Sequence, residues 1–70
     1  MKFSNGDKVR CIVDNKLNTE RFTGKIISCL GTGKANYCCV EYRNIPSYTE
    51  LCVWYNEDNL ISAENFVIEL

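Results

Sequence analysis

The chain has 70 residues, of which 46% are hydrophobic and 24% are charged. This length predicts one small domain, and the hydrophobic content excludes the intrinsically disordered class. Eight basic and nine acidic residues give a formal net charge of -1, which excludes a general electrostatic attraction to polyanions. We therefore expect a single domain over residues 1–70, with its core in residues 6–62 and a C-terminal strand in residues 63–70.

No stretch has the length and hydrophobicity of a membrane span or of a secretory signal, so we expect a cytoplasmic protein with no membrane partner. The chain contains five cysteines, namely Cys11, Cys29, Cys38, Cys39 and Cys52. Their odd number and a reducing compartment favour free thiols that pack as small hydrophobic side chains. Of the five, Cys39 is expected to be the most exposed.

The first two strands are predicted from the stretches "DKVRCIV" and "RFTGKIISCL". In the first, Val9, Cys11 and Val13 alternate with polar and exposed positions, which is typical of a strand with one buried face. The second is rich in β-branched and aromatic residues, and its Gly24 marks a bend or a close approach of another backbone. Between them, "DNKLNTE" has no alternation and predicts a loop.

Two more strands are predicted from "NYCCVEY" and "LCVWY". The turn "GTGK" precedes the third strand and predicts a hairpin with the second. Alternation places Cys38 and Cys39 on opposite faces of the third strand, and it places Trp54 on the face opposite Leu51, Val53 and Tyr55 in the fourth. The stretches "RNIPSYTE" and "NEDNL" have turn chemistry, and the tail "ENFVIEL" is interpreted as a last short strand.

These elements predict the fold class. No stretch has a helical stripe of the length that a helix needs. About five to six short strands separated by turns predict an all-β protein, a small antiparallel barrel in which closure of the sheet removes exposed strand edges.

The order of the motifs resembles that of SH3-like barrels of the Tudor type over residues 6–62. The stretches that carry the resemblance are "GDKVRCIV", "RFTGKIIS", "NYCCVEY" and "VWYNEDNLIS". The resemblance implies a partial aromatic cage for a methylated arginine or lysine, held by the attraction of a cation to ring faces. The matching positions are Val13, Phe22, Tyr42 and one of Asn44 or Ile45, with Tyr48 as a further wall.

The stretch "CLGTGKANYCC" contains three features that suggest a site. A phosphate-binding loop requires glycine where Ser28 stands and a hydroxyl residue where Ala35 stands, so a plain hairpin turn is favoured. The cysteines lack the C-x-x-C spacing of a zinc site, and we expect no metal. A disulfide between Cys29 and one of the hairpin cysteines is geometrically more plausible than a metal, although the odd count and the compartment argue against it.

No enzyme is expected. The chain has no histidine, the commonest general base. The adjacent carboxylates Glu57 and Asp58 lie in a predicted turn and are interpreted as solvated charges, and only Cys11, beside Arg10, has a basic sequence neighbour that could activate it. We therefore predict no catalytic residue and no cofactor.

Binding is the predicted function, and a protein partner is the first choice. The candidate partner-binding residues are aromatic: Phe22, Tyr42, Tyr48, Trp54 and Tyr55. Exposed Ile12 and Ile27 would extend an apolar patch around Trp54. The alternative reading of Trp54 is that it covers the C-terminal strand.

Two other classes stay open at this point. A nucleic-acid-binding SH3-like domain would use a basic face, with Lys8, Arg10, Lys25, Lys34 and Arg43 as its candidate residues. An inhibitor encoded by a phage or a mobile element would block a host protein by occlusion. A homodimer through the C-terminal strand is a further expectation, motivated by the short apolar tail.

Overall fold

The fold is all-β, as predicted, with five antiparallel strands in one sheet. A computed structural model describes residues 1–43, 45–46 and 50–63. The strands are β1 (Lys8–Cys11), β2 (Gly24–Gly31), β3 (Asn36–Tyr42), β4 (Leu51–Asn56) and β5 (Leu60–Ser62). Short 3₁₀ turns occupy Thr19–Arg21 and Glu57–Asn59. No helix within the described ranges is long and apolar enough to cross a membrane.

The sheet has the strand order β4-β3-β2-β1-β5 and wraps around a single core. Within the described residues, no ladder joins the two edge strands β4 and β5, so hydrogen bonding leaves the sheet open at that position. Side chains from all five strands nevertheless meet in one hydrophobic cluster. The arrangement is consistent with a small barrel whose wall is not closed by backbone hydrogen bonds.

The predicted third and fourth strands are confirmed, and the other strand bounds differ. Because a 3₁₀ turn occupies Thr19–Arg21, β2 begins at Gly24 instead of at position 21. Val13 lies beyond the end of β1 and is exposed, so its predicted place on the buried face is wrong. The fifth strand is Leu60–Ser62, which pairs with β1. The predicted C-terminal strand covers residues 63–70; Ala63 follows the end of β5, and residues 64–70, with the expected dimer contact, lie outside the described residues.

A β-bulge in β2 changes which side chains face the core. The register shifts between Ile26 and Ser28, so Ile26 is buried whereas Ile27 is exposed. Beyond the bulge, Cys29 pairs with Cys38 of β3 and packs against the core. With strict alternation, Cys29, three residues after Ile26, would lie on the outer face of the sheet. The extra residue of the bulge places it on the same inner face as Ile26.

The loop before the first 3₁₀ turn is attached to the core by a chain of hydrogen bonds. The amide Nδ2 of Asn15 donates to Oγ1 of Thr19 over 2.6 Å, and Thr19 is fully buried. Its hydroxyl is hydrogen-bonded to the hydroxyl of Tyr55, which also accepts from the hydroxyl of Tyr42 at 3.1 Å. The hydroxyls of Thr19, Tyr42 and Tyr55 each have a hydrogen-bond partner, which compensates for the cost of removing them from water.

Glu57 is buried, which corrects its interpretation as a solvated turn residue. Only 8% of its surface is exposed. Its Oε1 accepts from the backbone N–H of Lys2 at 3.0 Å and its Oε2 from Nδ2 of Asn36 at 3.2 Å. These hydrogen bonds lower the pKa of the carboxyl, with the Lys2 amide as the largest cause. Glu57 therefore attaches the N-terminal segment to the start of β3.

Removal of the negative charge of Glu57 is expected to lower the stability of the protein at neutral pH and to make that stability less sensitive to acid. Since the pKa of Glu57 is lower when folded, its contribution is present above the ordinary value of 4.5 and is lost as the pH falls through the folded value. In Glu57→Gln we expect a lower thermal midpoint at pH 7 and a smaller further decrease in acid than in the wild type. Thermal unfolding followed by circular dichroism over this pH range measures both.

Asp58→Asn is the matched control for Glu57→Gln. Asp58 is exposed and forms an ion pair of 2.9 Å with Nζ of Lys2, and such surface pairs contribute little. A wild-type acid profile is therefore expected for this variant. Equal acid profiles in Glu57→Gln and the wild type would contradict the assigned role of Glu57.

Candidate binding surface on the outer face of the sheet

The side chains that point away from the core form the outer face of the sheet, and one row of them crosses four strands. Cys52 in β4 pairs with Glu41 in β3, Glu41 pairs with Lys25 in β2, and Lys25 pairs with Lys8 in β1. Residues directly opposite each other in an antiparallel ladder share a face. The row therefore places two lysines side by side next to a carboxylate.

A groove of about 270 Å³ lies along the basic part of this row. We call it the basic groove, and its lining residues are Lys8, Thr23, Gly24, Lys25, Glu41 and Arg43. Nε of Arg43 donates to Oε1 of Glu41 at 2.9 Å, which also raises the pKa of the guanidinium. Among the described residues, neither Lys8 nor Lys25 forms an ion pair. Three cations against one carboxylate leave the groove positive.

The juxtaposition of Lys8 and Lys25 costs stability in the isolated protein. Like charges directly opposite each other on neighbouring strands are destabilising. Both side chains are exposed at this position, so water screens the repulsion without removing it. An anion bound between the two ammonium groups would relieve the repulsion, and the basic groove is therefore suited to a carboxylate or a phosphate.

An apolar strip lies on the same face, beside the basic groove. Its members are Ile27, Leu30, Tyr37 and Trp54, with 39%, 57%, 37% and 52% of their surfaces exposed. Trp54 pairs with Cys39, and Leu30 pairs with Tyr37 in the next row toward the hairpin tip. Rows on one face are two residues apart and neighbouring strands are about 4.8 Å apart, which puts the backbone at Trp54 about 12 Å from that at Lys25.

The structure does not bring the five predicted aromatic residues onto one surface. Tyr42 is 1% exposed and lies in the core, so its prediction as a partner-binding residue is wrong: it is on the inward face of β3. Tyr55 and Phe22 are half-buried against the same core. Tyr48 lies outside the described residues. Trp54 is the member of the set that reaches the outer face, as its alternation in β4 predicts.

Of the five predicted basic residues, three meet at the basic groove: Lys8, Lys25 and Arg43. Arg10 is half-buried, and its Nη2 donates to the backbone carbonyl of Glu20 at 3.4 Å. Lys34 is exposed in the turn between β2 and β3. Tyr37 is an exposed aromatic residue outside the predicted set, although the alternation in "NYCCVEY" places it on the face of Cys39 and Glu41.

The thiols differ from expectation in one respect. Cys38 and Cys39 lie on opposite faces of β3, as predicted, but Cys39 is only 6% exposed and Cys52 is the exposed cysteine. Burial raises the pKa of Cys39, with a further contribution from Cys52. Cys39 is the direct partner of Trp54 in the ladder between β3 and β4. All five cysteines are free thiols.

The comparisons with known proteins identify no relative. No family model matches the chain, and neither a curated protein nor a solved structure shows significant similarity to it. Within residues 1–43, 45–46 and 50–63, no three Cys, Asp or Glu side chains come together as a metal site would require.

Proposed function

We propose that this chain is a non-catalytic protein-binding module that holds an acidic segment of a partner protein on the outer face of its sheet. The observation that carries the proposal is the placement of the apolar strip and the basic groove on one face, where ideal strand spacing puts the backbones of Trp54 and Lys25 about 12 Å apart. An extended peptide of a few residues would span that distance.

The apolar strip supplies the anchor of this surface. Tryptophan and tyrosine are enriched among residues that dominate binding energy, because they bury a large area with little loss of side-chain entropy. Trp54 stands on β4 with Tyr37 diagonally across from it on β3. Large apolar side chains that are exposed together on one face are typical of interaction surfaces.

The basic groove determines the charge of the partner. A carboxylate placed between Lys8 and Lys25 would remove their repulsion, and Arg43 would offer its remaining N–H groups while Glu41 accepts from its Nε and Nη2. The partner segment that fits therefore combines acidic residues with at least one aromatic or aliphatic side chain. Such a segment would suit an adapter as well as an inhibitor that occludes its target, including one encoded by a phage.

Nucleic acid is the competing partner, since phosphates are also anions. A protein segment is favoured because the groove contains a carboxylate, the two remaining basic candidates lie elsewhere, and the whole chain has a net charge of -1. The SH3-like, Tudor-type relationship stays a prediction. The binding surface proposed here does not use a methylated-residue cage, because the ring of Tyr42 lies in the core.

Trp54 is the only tryptophan in the chain, so intrinsic fluorescence reports directly on the proposed surface. Peptides would be selected from a random display library on the purified protein at physiological salt and then titrated individually. We expect the selected peptides to be rich in Asp, Glu and apolar residues and to shift the emission to shorter wavelength. A single-stranded DNA oligonucleotide, titrated at low and high salt, forms the second arm.

Affinity changes in variants, measured by calorimetry, locate the contact. Loss of a buried indole anchor or reversal of a groove charge weakens binding, and we expect a decrease of roughly tenfold or more for Trp54→Ala and for Lys25→Glu. Leu17→Ala and Lys16→Glu change exposed residues of the loop before the first 3₁₀ turn and are expected to bind as the wild type does.

Two results would refute the proposal. In one, the selected peptides lack acidic residues or bind Trp54→Ala as tightly as the wild type. In the other, the oligonucleotide binds more tightly than any peptide, with an affinity that falls steeply with salt and is lost in Lys25→Glu. The second result would assign the basic groove to nucleic acid.

A further inference from the structure

We propose that Cys29 and Cys38 are a site of reversible oxidation and form an intramolecular disulfide between β2 and β3. The two residues are direct partners in the antiparallel ladder, and their sulfur atoms are 3.2 Å apart. Opposed residues in such a ladder have Cα atoms about 4.5–5.5 Å apart, within the range of about 4.4–6.8 Å that disulfides adopt. The bond therefore requires little movement of the backbone.

The other thiols are placed less favourably. Cys39 pairs with Trp54 and Cys52 pairs with Glu41, so these two cysteines are diagonal neighbours. Their side chains interact, but Cα atoms at diagonal positions are about 7–8 Å apart, beyond the usual disulfide range. Cys11 lies in β1 and its thiol donates to the backbone carbonyl of Val13 at 3.3 Å. The directly opposed pair is therefore the one that the geometry selects.

Differences in exposure between the two cysteines define the order of the reaction. Cys29 is half-buried whereas Cys38 is fully buried, so Cys29 is the more accessible residue of the pair. Burial and the hydrogen bond with Cys29 raise the pKa of Cys38 to about 12, which makes it a poor first nucleophile. Cys29 is thus the attacking thiol and Cys38 the resolving thiol.

The oxidant class is a low-molecular-weight disulfide such as oxidised glutathione. The Cys29 thiol loses its proton and attacks one sulfur, forming a mixed disulfide and releasing one glutathione thiolate, which takes up a proton. The Cys38 thiol then loses its proton and attacks the Cys29 sulfur, and the second glutathione leaves as thiol. The protein loses two hydrogen atoms, that is two protons and two electrons, and one glutathione disulfide becomes two thiols.

The bond would fix the hairpin at a defined place. It would link the strands one residue pair before Leu30 and Tyr37, which belong to the apolar strip. It would also remove the hydrogen bond that the Cys29 thiol donates to the backbone carbonyl of Phe3 at 3.7 Å. Oxidation therefore exchanges a contact of the N-terminal segment for a covalent link within the hairpin.

The test uses the full chain carrying Cys52→Ser, which removes the exposed thiol while leaving the buried ones unchanged. After incubation with oxidised glutathione, we expect an intact mass that is lower by two hydrogen atoms and is restored by dithiothreitol. Trypsin should then release the segments 26–34 and 35–43 as one cross-linked species. Fragmentation between the adjacent cysteines should place the link on Cys38.

Cys29→Ser in the same background is the decisive variant. Because Cys29 is half-buried and its hydroxyl replacement can donate to the same carbonyl, this variant should fold, and it should show no loss of two hydrogen atoms. The proposal is overturned by a persistent glutathione adduct without ring closure, by a link that maps to Cys39, or by no reaction under conditions that oxidise dithiothreitol.

Discussion

Replacement of Tyr42 by alanine is expected to unfold the domain at room temperature. Among the described residues, Tyr42 is the largest fully buried side chain, and it packs in the core from the end of β3. Truncation of a buried aromatic residue to alanine costs about 3–5 kcal/mol. A core of this size supplies a net stability of about 3–5 kcal/mol. The expected results are a loss of chemical-shift dispersion in the amide NMR spectrum and the absence of a cooperative thermal transition in circular dichroism.

Tyr42→Phe separates the packing of the ring from its hydroxyl. The variant keeps the buried ring and loses the hydrogen bond to Tyr55, whose hydroxyl keeps Thr19 as a partner. We expect a folded protein that is less stable by about 1 kcal/mol. A cooperative transition at the wild-type temperature in Tyr42→Ala would contradict the position of this ring in the core.

The hydroxyl of Tyr42 also gives stability a dependence on alkaline pH. Burial, followed by the hydrogen bond to Tyr55, raises the pKa of the phenol well above its ordinary value of 10.0. Its stabilising contribution is therefore fully present below that value and decreases as the pH rises above it, because the unfolded chain then ionises first. In Tyr42→Phe this part of the alkaline decrease should be absent.

Gly24→Ala is the second substitution expected to destabilise the fold strongly. A Cβ at this position would overlap Cγ1 of Val40 and would stand 2.9 Å from Cε1 of Tyr42 and 3.0 Å from the carbonyl oxygen of Glu41. The first two atoms belong to packed core side chains and the third is backbone, so none of them can move freely. We expect a loss of about 1–3 kcal/mol, measured by urea unfolding.

Gly31→Ala is the matched control, because both glycines are in β2. At Gly31 the nearest atom to an added Cβ is Oδ1 of Asn36, at 2.9 Å, which is the end of a side chain at the rim of the sheet. Displacement of that amide would relieve the contact but weaken its hydrogen bond to Glu57, so a loss of at most about 1 kcal/mol, smaller than that of Gly24→Ala, is expected. Similar losses of stability in the two variants would contradict the prediction that the close approach of β3 to Gly24 excludes a Cβ at this position.

Oxidation and binding address different parts of the same hairpin. The proposed disulfide lies on the core side of β2 and β3, whereas the apolar strip and the basic groove lie on the outer side. A negative oxidation result would not contradict the proposed binding surface, and a negative peptide-binding result would not contradict the proposed disulfide. The two experiments therefore judge the two proposals independently.

The sequence by itself predicted the all-β class and those features that depend on local alternation. Strand β3 and the faces of β4 follow from side chains that alternate every second residue, a property of the extended backbone that needs no knowledge of neighbours. Gly24 was predicted to mark a bend or the close approach of another backbone, and in the structure the carbonyl oxygen of Glu41 and two side chains of β3 leave no room for a Cβ there. Trp54 was placed on the outer face for the same local reason.

Only the tertiary structure decided which residues meet. The bulge after Ile26 brings Cys29 opposite Cys38, and the strand order brings Lys8 and Lys25 together. Glu57 is buried because the N-terminal segment returns to cover it, at a separation of 55 residues from Lys2. Register and long-range pairing depend on the burial summed over the whole sheet, and no short stretch of sequence contains that sum.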